Sequence, residues 1–209
     1  MNRRDALKNL TIGLGYTVAA PTVLSILNSC SGKAETWSPL FLSELEKHIV
    51  THLADIILPS SETPGAIDVN TPQFLDKMYY EMETKDKQKL FKSGSTLFSK
   101  IFKNTFNYEA IEGKKEDFEK LLDTYFKISE EESEKILKLQ SLEIEEIPVE
   151  HTASYSIYKF LLSVKHYTLF GYFTSKEIGE NVLAYDPIPG DYKGCISVED
   201  ATNGMAWSL

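Results

Sequence analysis

Apolar residues recur every three or four positions along most of the chain, which is the spacing of one face of an α-helix. The first such stretch follows Ser38 and Pro39, a pair that predicts an N-cap and a proline in the first helical turn. We expect this helix to end near Pro59. Its apolar positions are Leu42, Leu45, Ile49, Leu53 and Ile57.

The same spacing predicts further helices after a polar loop over residues 59–70, which is interpreted either as a helix connector or as the rim of a contact surface. No segment has the alternation typical of a β-strand. The sequence therefore predicts a mainly α fold, an irregular bundle of about six helices. The remaining helical segments are residues 71–82, 90–102 with an interruption at Gly94, 114–126, 129–143 and 152–170.

Glutamate is dense between residues 130 and 146, where Ser129 and Glu132 form a predicted capping box. Apolar residues are interleaved with the glutamates, so we expect one side of this helix to be buried and the other solvated. The interleaved residues are Ile136, Leu137, Leu139 and Leu142.

The pattern changes over residues 171–209, an extended C-terminal tail with five of the eleven glycines and two prolines at 187 and 189. Glycine and proline favour irregular backbone. The aromatic rings of such a tail need a surface to lie on, which is either the chain's own helices or a partner. The rings belong to Tyr172, Phe173, Tyr185, Tyr192 and Trp207.

The 209 residues carry a net charge of −9, which disfavours nucleic-acid binding. The length suits one domain with a sizeable core. Arg3 and Arg4 are the only arginines, and an uncharged run over residues 9–32 follows Lys8 closely, apart from the ionisable Tyr16 and Cys30. A basic start before an apolar run is typical of an export signal.

The residues Arg3, Arg4, Leu7 and Lys8 resemble the twin-arginine (Tat) signal, so residues 1–29 are predicted to be a Tat signal peptide. Two other interpretations are a retained membrane anchor and an incidental pair of charges. Cleavage after residue 29 would remove three of the 22 basic and one of the 31 acidic residues and leave a net charge of −11.

Leu27, Ser29 and Cys30 resemble a lipobox, which predicts lipid attachment at Cys30. The alternatives are ordinary cleavage and a retained anchor. Residues 30–37 would then be a tether and residues 38–209 one domain. With Cys30 lipidated, Cys195 would have no partner within the chain, and it would be either buried or paired with another chain.

Few residues suggest chemistry. His48 and His52 have the i, i+4 spacing at which two imidazoles can share a metal, but no third ligand follows from the sequence, so core-edge histidines are the favoured interpretation. His151 and His166 have no nucleophile near them in sequence. The chain contains neither G-x-G-x-x-G nor C-x-x-C, so no metal, cofactor or catalytic site is predicted in it.

Two segments carry a family resemblance: residues 57–66, with Leu58-Pro59 and Thr63-Pro64-Gly65-Ala66, and the tail from Gly171 to Cys195. They resemble the gluconate 2-dehydrogenase subunit 3 family, the small subunit of periplasmic flavin-dependent sugar and sugar-acid dehydrogenases. The residues proposed for partner contact on this basis are Pro64, Gly65, Tyr172, Phe173, Tyr185, Pro187, Pro189, Gly190, Tyr192 and Cys195.

The resemblance implies an accessory chain that is not catalytic alone. It would escort a large subunit carrying FAD through the Tat translocase and remain bound to it, and the lipid would anchor the complex to the membrane on the periplasmic side. In such complexes electrons commonly pass to a cytochrome subunit. The competing interpretation is a free-standing periplasmic lipoprotein that binds or modifies carbohydrate.

Overall fold

The computed structural model describes residues 37–186, 188, 190 and 194–208. Within these residues the chain forms eight α-helices and three short 3-10 helices and no β-strand. The predicted mainly α bundle is confirmed. The α-helices are α1 Glu44–Ile57, α2 Thr71–Glu81, α3 Lys85–Phe106, α4 Lys115–Phe126, α5 Glu130–Gln140, α6 Thr152–Phe173, α7 Lys176–Asn181 and α8 Val198–Thr202. The 3-10 helices are Ala110–Glu112, Ile144–Glu146 and Val149–His151.

Helix α1 begins five residues later than Pro39, so its predicted start is wrong. The N-cap is Ser43, whose Oγ accepts the Glu46 N–H at 3.2 Å, while the Glu46 carboxylate accepts the Ser43 N–H at 2.8 Å. The residues before Ser43 are bound to another helix instead. The Asp76 carboxylate of α2 accepts the amides of residues 40, 41 and 42 at 2.7, 2.9 and 2.8 Å.

The two longest helices, α3 and α6, pack along each other at the centre of the bundle. The predicted interruption at Gly94 is wrong, since α3 runs through it. A Cβ at Gly94 would lie 2.2 Å from the Ser156 carbonyl oxygen and 2.6 Å from the Phe160 Cβ. Glycine is required there by the close approach of the two backbones.

A buried acid joins α1 to α3. Glu46 forms an ion pair with Lys92 and accepts a hydrogen bond from the Ser95 hydroxyl at 2.7 Å. Burial alone would raise the pKa of Glu46, but Lys92, the Ser43 N–H and the Ser95 hydroxyl together hold this pKa below its ordinary value. The ionised form of Glu46 is therefore part of the folded state.

Helix α5 corrects a second expectation, because none of its residues is buried. Leu137 is 59% exposed, and the helix ends at Gln140 rather than at Glu143. The Ser129 hydroxyl caps the helix by accepting the Glu132 N–H at 3.2 Å, but the reciprocal bond of the predicted capping box, from the Ser129 N–H to the Glu132 carboxylate, is not formed. The interleaved apolar residues remain partly open because α5 packs mainly against α6 alone.

The C-terminal segment is more regular than expected at its start. Helix α6 continues past Phe170 to Phe173 and includes Gly171, where a Cβ would lie 2.7 Å from the Phe74 ring. The irregular extension thus begins at Thr174, and it contains the short helices α7 and α8.

Candidate partner-binding surface

The loop between α1 and α2 is held in one shape by a carboxylate. Asp68 accepts hydrogen bonds from the Ser60 hydroxyl and, at 2.7 Å, from the Gly65 N–H, and these two donors lower the pKa of Asp68. A Cβ at Gly65 would lie 2.5 Å from the Ser60 nitrogen and 2.8 Å from the carbonyl carbon of Pro59. The Pro64-Gly65 pair is therefore fixed by the loop itself.

The loop is tied to the end of α6. The Tyr172 hydroxyl donates to the Pro64 carbonyl oxygen at 2.9 Å, and Tyr172 is only 8% exposed. This structural tie brings together two of the residues proposed for partner contact. Beside it lies a cleft of about 430 Å³ between the loop and the start of α7, lined by Pro64, Asp68, Val69, Asn70, Ser175, Lys176 and Glu177.

The end of the chain returns to the segment after α7. Ala184 and Trp207 form an isolated parallel bridge: the Ala184 N–H donates to the Ala206 carbonyl at 2.9 Å, and the Ser208 N–H donates to the Ala184 carbonyl at 2.9 Å. Only backbone is used in these bonds. The side chains of Tyr185 and Trp207 remain 54% and 56% exposed.

Two rings at the end of α6 are also open, with Phe170 42% and Phe173 40% exposed. Phe170 packs on the Phe74 ring with centroids 5.8 Å apart. The sequence pattern assigned Phe170 to the helix but gave no sign of its exposure, because helical periodicity does not report which face a neighbour covers. We define the tail surface as Phe170, Phe173, Tyr185 and Trp207.

Cys195 is exposed, so of its two alternatives burial within the chain is wrong. Its pairing with another chain stays a prediction. Gly190 is also exposed, with no atom within 4 Å of a Cβ built there. Pro187, Pro189 and Tyr192 lie outside the described residues, as do Arg3, Arg4, Leu7, Lys8 and Cys30.

The two histidines of α1 pack against an aromatic ring at the edge of the core. His48 Nε2 lies 2.9 Å from the Gly113 carbonyl oxygen, to which it donates in the matching tautomer, and the His52 ring stacks on Phe118 with centroids 5.2 Å apart. Burial, followed by the charge of neighbouring His48, lowers the pKa of His52. Among the described residues, no three His, Cys, Asp or Glu side chains are grouped as metal ligands.

In the part of the chain that the structure describes, no helix combines the length and the apolar character needed to cross a membrane. The conspicuous features of this part are exposed apolar side chains on surface segments, including the tail surface. Single exposed apolar residues are common on protein surfaces, whereas contiguous apolar patches mark sites of contact with other proteins.

A comparison with known families identifies the chain. The model of the family described as Gluconate 2-dehydrogenase subunit 3 matches residues 44–190, so the chain belongs to this family. The description of the family as a dehydrogenase subunit implies a larger dehydrogenase as partner. No curated protein and no solved structure matches the chain.

Proposed function

We propose that the chain is a non-catalytic accessory subunit of an FAD-dependent sugar or sugar-acid dehydrogenase, and that it stabilises the large subunit by binding it. The observation that carries this proposal is the tail surface, where backbone hydrogen bonds of Ala184 with Ala206 and Ser208 hold the segments that carry Tyr185 and Trp207. Both aromatic residues are more than half exposed. A backbone fixed in this way loses little conformational entropy on binding, and exposed aromatic residues are frequent anchors of protein interfaces. We assign FAD to the partner and, in such a complex, electron transfer to a cytochrome subunit.

Export and anchoring belong to the same proposal. Arg3 and Arg4 would direct the folded pair through the Tat translocase, and lipid on Cys30 would hold the complex on the periplasmic face of the membrane. One signal is sufficient for two chains if they assemble before export. The large subunit would then need no signal of its own.

Co-expression with the large subunit tests the export role. Replacing Arg3 and Arg4 with lysine keeps the charge but removes the guanidinium groups, so we expect both chains to stay in the cytoplasm. Lys8→Arg is the control and should leave export intact. Export of the large subunit despite the double replacement would exclude the escort role, and mass spectrometry of the membrane fraction would show whether Cys30 carries lipid.

The contact role is tested with Tyr185→Ala combined with Trp207→Ala. We expect this pair of changes to weaken binding of the large subunit about tenfold or more. Tyr80→Ala is the control, because Tyr80 is 56% exposed but lies on α2. Carbohydrate binding or turnover by the isolated chain, measured by calorimetry, would instead support a free-standing protein.

A further inference from the structure

The segment that contains α5 and the next two 3-10 helices, residues 130–150, leaves several apolar side chains uncovered. Val149 is 90% exposed and Leu137 is 59% exposed. Each of the helices α1 to α4 and α6 buries at least two residues, whereas α5 buries none. We define the α5 face as four exposed apolar residues of this segment, Leu137 within α5 and Leu142, Ile144 and Val149 after its end.

Two clefts border α5, so the surface around the α5 face is not flat. One cleft, of about 540 Å³, has Leu139, Leu142 and His151 in its wall. A second, of about 360 Å³, lies between α5 and helices α4 and α6 and is lined in part by Ile136 and Tyr158. The surface beside α5 is therefore recessed rather than flat.

The charge around the α5 face limits what can cover it. Residues 130–150 contain eight glutamates and two lysines, a net charge of −6 within a chain whose total is −9. A second copy of the chain would bring the same negative charge against it, and anionic lipid headgroups would also be repelled. The complementary occupant is a protein surface with an apolar centre and a rim of lysine or arginine.

This segment is well separated from the tail surface along α6. The Leu142 carbonyl accepts the Tyr155 hydroxyl at 2.9 Å near the start of α6, whereas Tyr172 and Phe173 stand at its end. The 17 residue-to-residue steps from Tyr155 to Tyr172 span about 26 Å of helix. The α5 face is thus a contact region of its own rather than an edge of the tail surface.

We propose that the α5 face docks onto a cationic, apolar-centred surface of the dehydrogenase large subunit. This inference rests on the proposed accessory function and adds a second contact region to it. The apolar centre would supply affinity, while the glutamate rim would speed association and orient the pair.

The experiment co-expresses the chain with the large subunit to obtain the complex. The dissociation constant is then measured between the purified large subunit and each variant of the full chain. Leu137→Ala combined with Val149→Ala should weaken binding about tenfold or more, without loss of stability because both side chains are largely exposed. Ile111→Ala is the matched control, since Ile111 is 46% exposed on the 3-10 helix Ala110–Glu112, which packs on α1 and α3, and this variant should bind like wild type. Hydrogen exchange over residues 130–150 should slow in the wild-type complex.

A second variant isolates the charge. With Glu143→Gln, Glu145→Gln, Glu146→Gln and Glu150→Gln combined, we expect slower association and a weaker dependence of affinity on NaCl than in wild type. Absence of any wild-type complex would refute the accessory function and this inference together. Formation of the complex with unchanged affinity in both variants would refute only the inference, as would self-association of the chain through the α5 face in light scattering.

Discussion

Asp76 of α2 carries the charge that holds the segment preceding α1. We expect Asp76→Asn, which removes this charge, to destabilise the fold and release the segment. Asp76 is 1% exposed, and its two oxygens accept the amides of Leu40, Phe41 and Leu42. Asparagine has nearly the same shape but only one acceptor oxygen. Its NH₂ group would face at least one backbone N–H, so that two donors would oppose each other.

The magnitude follows from the geometry. A hydrogen bond to a charged group contributes about 1.5–3 kcal/mol, against about 1 kcal/mol for a neutral one. The substitution would lose one bond and the charge assistance of the other two, but Leu40 is 53% exposed and its amide can return to water. We therefore expect a loss of about 2–3 kcal/mol in the free energy of unfolding.

Urea denaturation followed by circular dichroism measures this loss, and hydrogen exchange reports the amides of residues 40–42 directly. Asp86→Asn is the control, because the Asp86 side chain is 91% exposed and pairs with Lys89 in its own helix turn. We expect it to cost less than about 1 kcal/mol. Equal stability of the two variants, or unchanged exchange at residues 40–42, would refute the reasoning.

Three further changes test the internal ties. The pKa of Glu46 is lower in the folded chain than its ordinary value of 4.5, so ionised Glu46 contributes its full stabilisation above pH 4.5. This stabilisation is lost as the pH falls through the folded-state pKa. Glu46→Gln should therefore reduce the loss of unfolding free energy at acid pH, measured by urea denaturation. Gly94→Ala should lower the free energy of unfolding by about 3 kcal/mol, because the added Cβ pushes α3 away from α6. Gly190→Ala, with open space around the added Cβ, should leave the thermal unfolding transition almost unchanged. Tyr172→Phe should cost about 1 kcal/mol and speed amide exchange near Pro64.

Helical periodicity predicted the long helices because burying one apolar face requires that spacing whatever the partner. It failed at the start of α1, where Ser38-Pro39 has the composition of a cap. The residue that binds the segment before α1, Asp76, stands more than thirty residues further on, and a local pattern carries no information about such a contact. Gly94 illustrates the same limit, since its role depends on the backbone of Ser156.

The candidate surfaces were predictable only in part. The composition of the tail indicated that its rings need a surface to lie on. It did not indicate that Tyr172 is buried and hydrogen-bonded to Pro64 within the chain, while Tyr185 is exposed to solvent. The interleaved leucines of α5 predicted a buried side because such a pattern usually marks a core contact. Their exposure depends on how little of the bundle reaches α5, which is a property of the whole fold.

The placement of carboxylates relates the fold to the proposed role. In the described part of the chain, the buried acids are Glu46 and Asp76, and both are engaged in holding α1 and the segment before it. Solvated acids, by contrast, concentrate on residues 130–150 around exposed apolar side chains. Buried charge thus serves the architecture, while exposed charge surrounds a surface that the chain itself leaves uncovered. That division fits a subunit whose work is done through contact with a partner.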